Sequence, residues 1–585
     1  MYLIVLNTLN NQVISNLAFG VRDLLGKGAP LVVALLSFLG VLQLLDVLNV
    51  GYYPMIHRAS VIRSFDLGFS LVFPLVFLLI ILVFLLLERR RIESLIPIIT
   101  IFLYHFIGLE GAVSIAAILA SVIGFRLLCK PVDYFSWFFV LLGGFEFASL
   151  LHWIIFVPFG LRNPVESIAS IEMSLFYIGI YLAPLFVLAF LFMWVIKFYN
   201  FFIMKKESAP IMLEYGNNKS SNLPVIILSA SVFLSIISSL YPYSATINPN
   251  SINVGVDIPN YVNYIESINS DYNKVFTISN GTRPIIFLLI IGFQKSLNLS
   301  TLSAVRLIPV VIHPLLIISI FFLTIEIVED KMLASLASFF TACGYQLTVN
   351  IYSYYLANTL GLCFIFMSLG FLFKTLKNKN IINLSMTSLF GVLLLFTHPW
   401  TFIQYISAAL LLTIITYILH RDIYNEQFQT LIIYLIILFL FEIIKIQLIY
   451  TGGTLSTTSG VVNNIIGFDK FWYNNIFIFR YRYGGLLSNL VVMGLAIIGL
   501  YKMKLEDVMG KYFIGFLFLT SLFYLIGDQS IKCRLFYNIP IGLFASLGFV
   551  GFYKSQNIKF FKYSFCSYIV LYSLTYFFRI INNII

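Results

Sequence analysis

Asp257, Arg283, His398, Arg480, Arg482 and Arg534 are the side chains of this sequence whose types could do chemistry together. A lone carboxylate such as Asp257 can take a proton from a hydroxyl, or hold a metal ion. Arginines match phosphate oxygens with a planar fork of donors. His398, in "THPW", can donate a hydrogen bond to a bound molecule. Together, a base and a set of phosphate-binding cations suit a transfer in which a hydroxyl attacks and a phosphate leaves. Each residue also has a plainer use. Asp257 opens "DIPNYVNYIESI", which reads as a helix cap with Pro near the first turn, and taken alone the capping role is the stronger reading. The arginines could snorkel at a membrane interface, and His398 could be an interfacial histidine with a satisfied hydrogen bond.

The elements that must position these residues are apolar helices. The 585-residue chain is 60% hydrophobic and only 10% charged, far below the quarter or so usual in soluble domains. Runs of about 20 apolar residues recur from residue 29 almost to the C-terminus, and they lack the in-out alternation of a membrane barrel. The expected class is therefore all-α: a polytopic integral membrane protein of about 17 transmembrane helices. No cleavable signal is evident. The five cysteines are scattered with no CxxC or Cys/His spacing, which argues against a disulfide framework or a zinc site. The net charge of +11 reflects basic residues flanking the spans, so nucleic acid is not an expected partner.

Six spans are expected within residues 1–210, a membrane module with no assigned role. The polar connector 205–222 follows, and then a second module over 223–585. In that module spans are expected near 223–242, 306–328, 332–349, 353–374, 381–397, 400–420, 429–449, 485–502, 511–526, 535–553 and 564–583. With "ERRRIE" placed in the cytoplasm, the basic clusters "FRLLCK", "KTLKNKN", "HRD" and "KSQNIKFFK" all fall on the same side. That alternation holds only if "RPIIFLLIIGFQKSLNL" does not span, so it is read as a short apolar helix along the outer interface. The outer loops 243–305 and 450–484, the "THPWT" turn and "GDQSIKCR" then share the extracytoplasmic side, and with them all six candidate residues. Glu442 and Lys445, at i,i+3 within one apolar run, read as a compensating intramembrane pair.

Over residues 223–585 the order of parts resembles the polytopic GT-C glycosyltransferases, such as protein O-mannosyltransferases and lipid A aminoarabinose transferases. The resemblance rests on a first span, an outer loop opening with Asp257, the Arg-Pro at 283–284 before a juxtamembrane helix, and "SAVRLIPVV" opening the next span. "EDKMLASLASFF" follows as a short turn with an Ala-rich helix. The resemblance implies a GT-C-like fold for the second module. It also implies transfer of a sugar from a polyprenyl-phosphate donor to a lipid-linked glycan, a protein or an envelope lipid at the outer face of the cell membrane, among membrane lipids. Asp257 matches the first-loop acid and Arg306 the arginine that opens the second span, and a late arginine such as Arg534 would lie near the lipid phosphate. A divalent cation, Mg or Mn, would have Asp257 as its ligand, although Ile258 stands where the family commonly has a second acid. Two other classes remain open on the sequence: a transporter or flippase of lipid-linked glycans, and an O-antigen-ligase-like enzyme.

Overall fold

The computed structural model describes residues 222–245, 248–378, 380–420, 426–448, 489–503 and 534–555, with isolated positions elsewhere such as Phe190 and Tyr512. The chain divides into two compact units, Met1–Gly179 with Phe552–Arg579 and Ile180–Gly551 with Ile580–Ile585. The described residues lie almost wholly in the second unit. Save for Phe190 and Asn222, the expectations for residues 1–210 and for the connector 205–222 lie outside the described residues. So do those for the loop 450–484, including Arg480 and Arg482.

Every regular element among the described residues is helical. Five stretches are long and apolar enough to cross a membrane: Leu223–Tyr243, Thr301–Val328, Lys331–Ser353, Leu356–Asn378 and Glu426–Gln447. We number the helices α1 (Leu223–Leu240), α2 (Ile258–Ser270), α3 (Pro284–Ser296), α4 (Thr301–Leu307), α5 (Pro309–Val328), α6 (Lys331–Ala342) and α7 (Tyr345–Ser353). They continue with α8 (Leu356–Asn378), α9 (Ile381–Leu395), α10 (Pro399–His420), α11 (Glu426–Leu448), α12 (Leu490–Lys502) and α13 (Ile541–Ser555). Helices α1, α5 and α6 pack together, α5 and α9 flank α8, and α11 lies against α9 and α10. The α6–α7 and α8 stretches are almost wholly buried, whereas α1 and α11 leave most of their apolar surface uncovered. In water that surface would be a large liability; in hydrocarbon it costs nothing.

The "RPIIFLLIIGF" run forms α3, a helix of only 13 residues. At 1.5 Å per residue it reaches about 20 Å, short of a hydrocarbon core of about 30 Å. Its start is set by Pro284 at the first helical position, where a missing N–H costs nothing. It packs with α2 and α4 into a small core of its own, closed from the other side by Tyr354, Leu356, Ala357 and Leu360. Helix α2 contributes Ile258, Tyr261, Ile265 and Ile268, which recur on one helical face and are all buried. If water bathes this cap in the unfolded reference, each such side chain contributes about 1.5–3 kcal/mol.

The cap is tied to the helix ends beneath it by hydrogen bonds. The Val256 N–H donates to the Tyr352 carbonyl at 3.0 Å, and the Ile285 N–H to that of Phe396 at 3.4 Å. The Tyr354 hydroxyl donates to the Val305 carbonyl. Gly255 sits at φ +126°, and a Cβ there would lie 2.7 Å from the Tyr354 ring. Gly255→Ala should therefore lower stability by about 1–3 kcal/mol through backbone strain and the clash. Gly292→Ala, on the open face of α3 where nothing lies within 4 Å, is the control and should be neutral or slightly stabilising. Thermal unfolding of the two variants in detergent measures the difference.

The far ends of α5 and α8 carry ion pairs, Lys374 with Glu326 at 3.0 Å and Lys377 with Glu329 at 2.7 Å. Lys377 holds the Glu329 carboxylate below its ordinary range. Exposed pairs contribute little to stability, but they show where the "KTLKNKN" charges gather: at the end away from the cap.

Candidate functional site

At the cap end, Asp257 occupies the N-cap position of α2, yet its carboxylate makes no capping bond. The reason is local. Its backbone is at φ −90°, ψ 1°, not the extended conformation that swings a side chain over the first turn, and one of the usual recipients is Pro259, which has no N–H. Instead Asp257 accepts from the Asn260 side chain at 3.3 Å. The capping reading of its side chain is thus set aside, and the acid is half-exposed beside the cap.

One turn on, the Tyr261 hydroxyl is buried and accepts from the Ala357 N–H at 3.2 Å, at the start of α8. The charges of Arg283 and Asp257 both act on this phenol; burial pushes its pKa up and Arg283 pulls it the other way. Arg283 ends the loop before α3, and its Nε is buried with no hydrogen-bond partner among the described residues. A guanidinium with an unmet buried donor is suited to an anionic acceptor.

His398 lies in the turn between α9 and α10 and is buried. Its Nδ1 is 2.6 Å from the Thr401 hydroxyl and 3.3 Å from the Thr401 backbone nitrogen. Nε2 has no hydrogen-bond partner among the described residues. Three positive charges act on this ring: Arg283, Arg534 and Lys445. The fold therefore gathers Arg283, His398 and Arg534, which are far apart in sequence, and sets Asp257 beside Tyr261 at their edge.

A run of buried amides fixes Arg534 relative to His398. Thr401 donates to Asn358 Oδ1 at 2.5 Å, and Asn358 Nδ2 donates to Asn538 Oδ1 at 3.3 Å. Asn538 Nδ2 donates to Gln404 Oε1 at 2.7 Å, and Gln404 Nε2 to the Leu535 carbonyl at 3.3 Å. On the other flank, Gln346 donates to the Ile539 carbonyl at 2.6 Å, and the Tyr537 hydroxyl to that of Gln346 at 3.0 Å. Gln346 Oε1 alone among these amide atoms is left buried without a partner among the described residues, and the other bonds brace the wall. Sequence reasoning passed over Asn358, Gln404 and Asn538. Their signal was an amide interrupting an apolar run, in "LANTLGL", "TFIQYIS" and "FYNIPIG".

Two other residues have uses the sequence did not indicate. Arg306 braces the stretch of loop before Asp257: its Nε donates to Asn253 Oδ1 at 2.8 Å, its Nη2 to the Ser251 carbonyl at 2.9 Å, and it lies over the Tyr243 ring. Lys445 feels the charge of Glu442, as expected, but its hydrogen bond goes to the Leu395 carbonyl of α9 at 2.8 Å.

A divalent cation takes about six oxygens; among the described residues Asp257 is accompanied by the Asn260 amide, and no three His, Cys, Asp or Glu side chains come together.

No protein-family model matches the chain, and no curated protein matches it.

Proposed function

We propose that the chain is a multi-pass glycosyltransferase of the cell membrane. It would take a sugar from a polyprenyl-phosphate donor and pass it to an acceptor hydroxyl on a glycan, protein or envelope lipid at the extracytoplasmic face. The observation that carries this reading is that the His398 turn is tied by hydrogen bonds to the segment of Arg283 through Ile285 and Phe396, to Lys445 through Leu395, and to the residue after Arg534 through Thr401, Asn358, Asn538 and Gln404. Cations gathered there, away from the basic end of α8, call for an anion, and a lipid phosphate brings one to that depth. Two short helices between the first apolar helix and the next also agree with the GT-C resemblance, which remains the only family argument for the chain.

In this reading the acceptor oxygen attacks the anomeric carbon and the bond from that carbon to the phosphate oxygen breaks. The acceptor's proton passes to the Asp257 carboxylate, and the electron pair leaves with the polyprenyl phosphate. Arg283 and Arg534 offset the charge that grows on the leaving phosphate. With the Thr401 hydroxyl's own proton given to Asn358, His398 Nδ1–H donates to Thr401, and Nε2 accepts from a hydroxyl of the sugar or of the acceptor.

Mass spectrometry of the protein purified in mild detergent tests the ligand, and cysteine labelling tests the side. Bound polyprenyl phosphate is expected. Ser251→Cys, exposed beside Arg306, should react with an impermeant thiol reagent from outside, and Ser208→Cys in the connector should not. Labelling at Ser208→Cys alone would invert the orientation and sink the extracytoplasmic assignment. Absence of lipid phosphate, with no transfer from polyprenyl-phosphate sugars, would sink the enzyme.

A further inference from the structure

We propose that Lys445 belongs to the phosphate site: from α11 it holds the Leu395–His398 turn in place and adds a third positive charge to those of Arg283 and Arg534. This rests on the reading that the site takes a lipid phosphate, and it adds a residue from a helix otherwise turned outward.

Lys445 is placed oddly for a lysine that merely tolerates a membrane. It lies three residues from the end of α11 at Leu448, close enough to extend its ammonium past that end, as lysines near helix ends do. It turns inward instead and is 1% exposed. The opposite face of α11 is all apolar surface, with Ile436, Phe439, Leu440 and Ile444 exposed. Nζ donates to the Leu395 carbonyl at 2.8 Å and sits 5.7 Å from the centre of the Phe396 ring. Leu395 ends α9, so its carbonyl has no partner within the helix, and a cation there also complements the helix dipole.

Two groups act on the ammonium, the Leu395 carbonyl and the charge of Glu442 three residues back on α11, which offsets part of the cost of burying it. A glutamine amide would satisfy Leu395 without the cost of a cation in an apolar span. The ammonium has three donors, and only the bond to Leu395 is made among the described residues. Leu395 leads directly into the turn that carries His398, whose N–H returns to the Leu394 carbonyl at 3.1 Å. The Phe396 carbonyl of the same turn receives the Ile285 N–H, two residues after Arg283. Lys445 thus anchors the backbone that joins His398 to Arg283, and its charge reaches the His398 ring along with those of the two arginines. A phosphate held by Arg283 and Arg534 would feel all three.

The test is titration of polyprenyl monophosphate in detergent against wild type, Lys445→Met, Lys445→Gln, Lys445→Arg and Arg534→Ala. Melting temperatures are recorded for each. Lys445→Gln keeps a donor for Leu395 and loses the charge, and it carries the test if Lys445→Met fails to fold. Loss of about tenfold in affinity for both neutral variants is expected. Lys445→Arg should stay within about threefold of wild type, and the neutral variants' deficit should persist at high salt, as for a buried charge. Wild-type affinity in Lys445→Gln would overturn the charge role and leave only the cap. Wild-type affinity in all three, with Arg534→Ala weakened, would overturn the proposal while the phosphate site stood. Failure of the wild type to bind the lipid at all would remove both.

Discussion

Asp257→Asn is expected to lower sugar transfer by about a hundredfold or more while leaving both the fold and lipid-phosphate binding intact. The separation of these effects follows from what the carboxylate touches. It makes no capping bond, so no backbone N–H loses a partner when the charge goes. Among the described residues its one hydrogen bond is to the Asn260 amide at 3.3 Å on an exposed surface, and an asparagine can replace it by turning its own oxygen toward that donor. Nor is the residue part of the buried face of α2, which is made by Ile258, Tyr261, Ile265 and Ile268. An asparagine at this position is isosteric but cannot take a proton, so turnover falls and the melting temperature does not. Rates measured with a polyprenyl-phosphate sugar, beside binding of polyprenyl phosphate alone, resolve the two. Turnover unchanged in the variant would leave Asp257 with no role in the chemistry, and Tyr261 is too buried to replace it as a base.

How far the sequence foretold this site depends on whether each residue's partner was near it in the chain. The apolar runs gave helices close to where they were expected: the run 429–449 becomes Glu426–Leu448, and the run 381–397 becomes Ile381–Leu395 with the last residues forming the His398 turn. The short helix at Pro284 follows from orientation and length alone, since placing "KTLKNKN" with the other basic clusters required a segment that did not cross. Capping by Asp257 was the natural reading of an acid before a helix. It failed for a reason already visible in the sequence, since Pro259 removes one N–H that a cap would serve. The contacts that local spacing did not reveal are all long-range. A rule for neighbours at i,i+3 points Lys445 toward Glu442, while its hydrogen-bond acceptor is Leu395, fifty residues away. Arg306 matched a span-opening arginine by order of parts, but the group it holds, Asn253, lies fifty-three residues back in the loop. Nothing in local spacing encodes either contact, because each joins segments about fifty residues apart that meet only in the folded chain.

Arg534→Ala is expected to weaken polyprenyl-phosphate binding by about thirtyfold, on the order of 2 kcal/mol, and Arg534→Lys by an intermediate amount. The arginine is a fork of donors suited to two phosphate oxygens at once, whereas a lysine offers the charge without the second aligned bond. Two features argue that Arg534 is held for this purpose. It opens the short helical stretch before Asn538, and that stretch is pinned by Gln404 to the Leu535 carbonyl and by Gln346 to the Ile539 carbonyl. Its charge also reaches His398 together with that of Arg283, although the three residues come from separate segments. An arginine that only snorkelled would need no such wall of amides behind it. Ordering of the variants as Ala, Lys, wild type by affinity, with the Ala defect persisting at high salt more than that of an exposed charge, fits a partly desolvated phosphate contact. Equal affinity in all three would move the phosphate away from Arg534, and the same titration applied to Arg480→Ala and Arg482→Ala would then be the measurement that finds it.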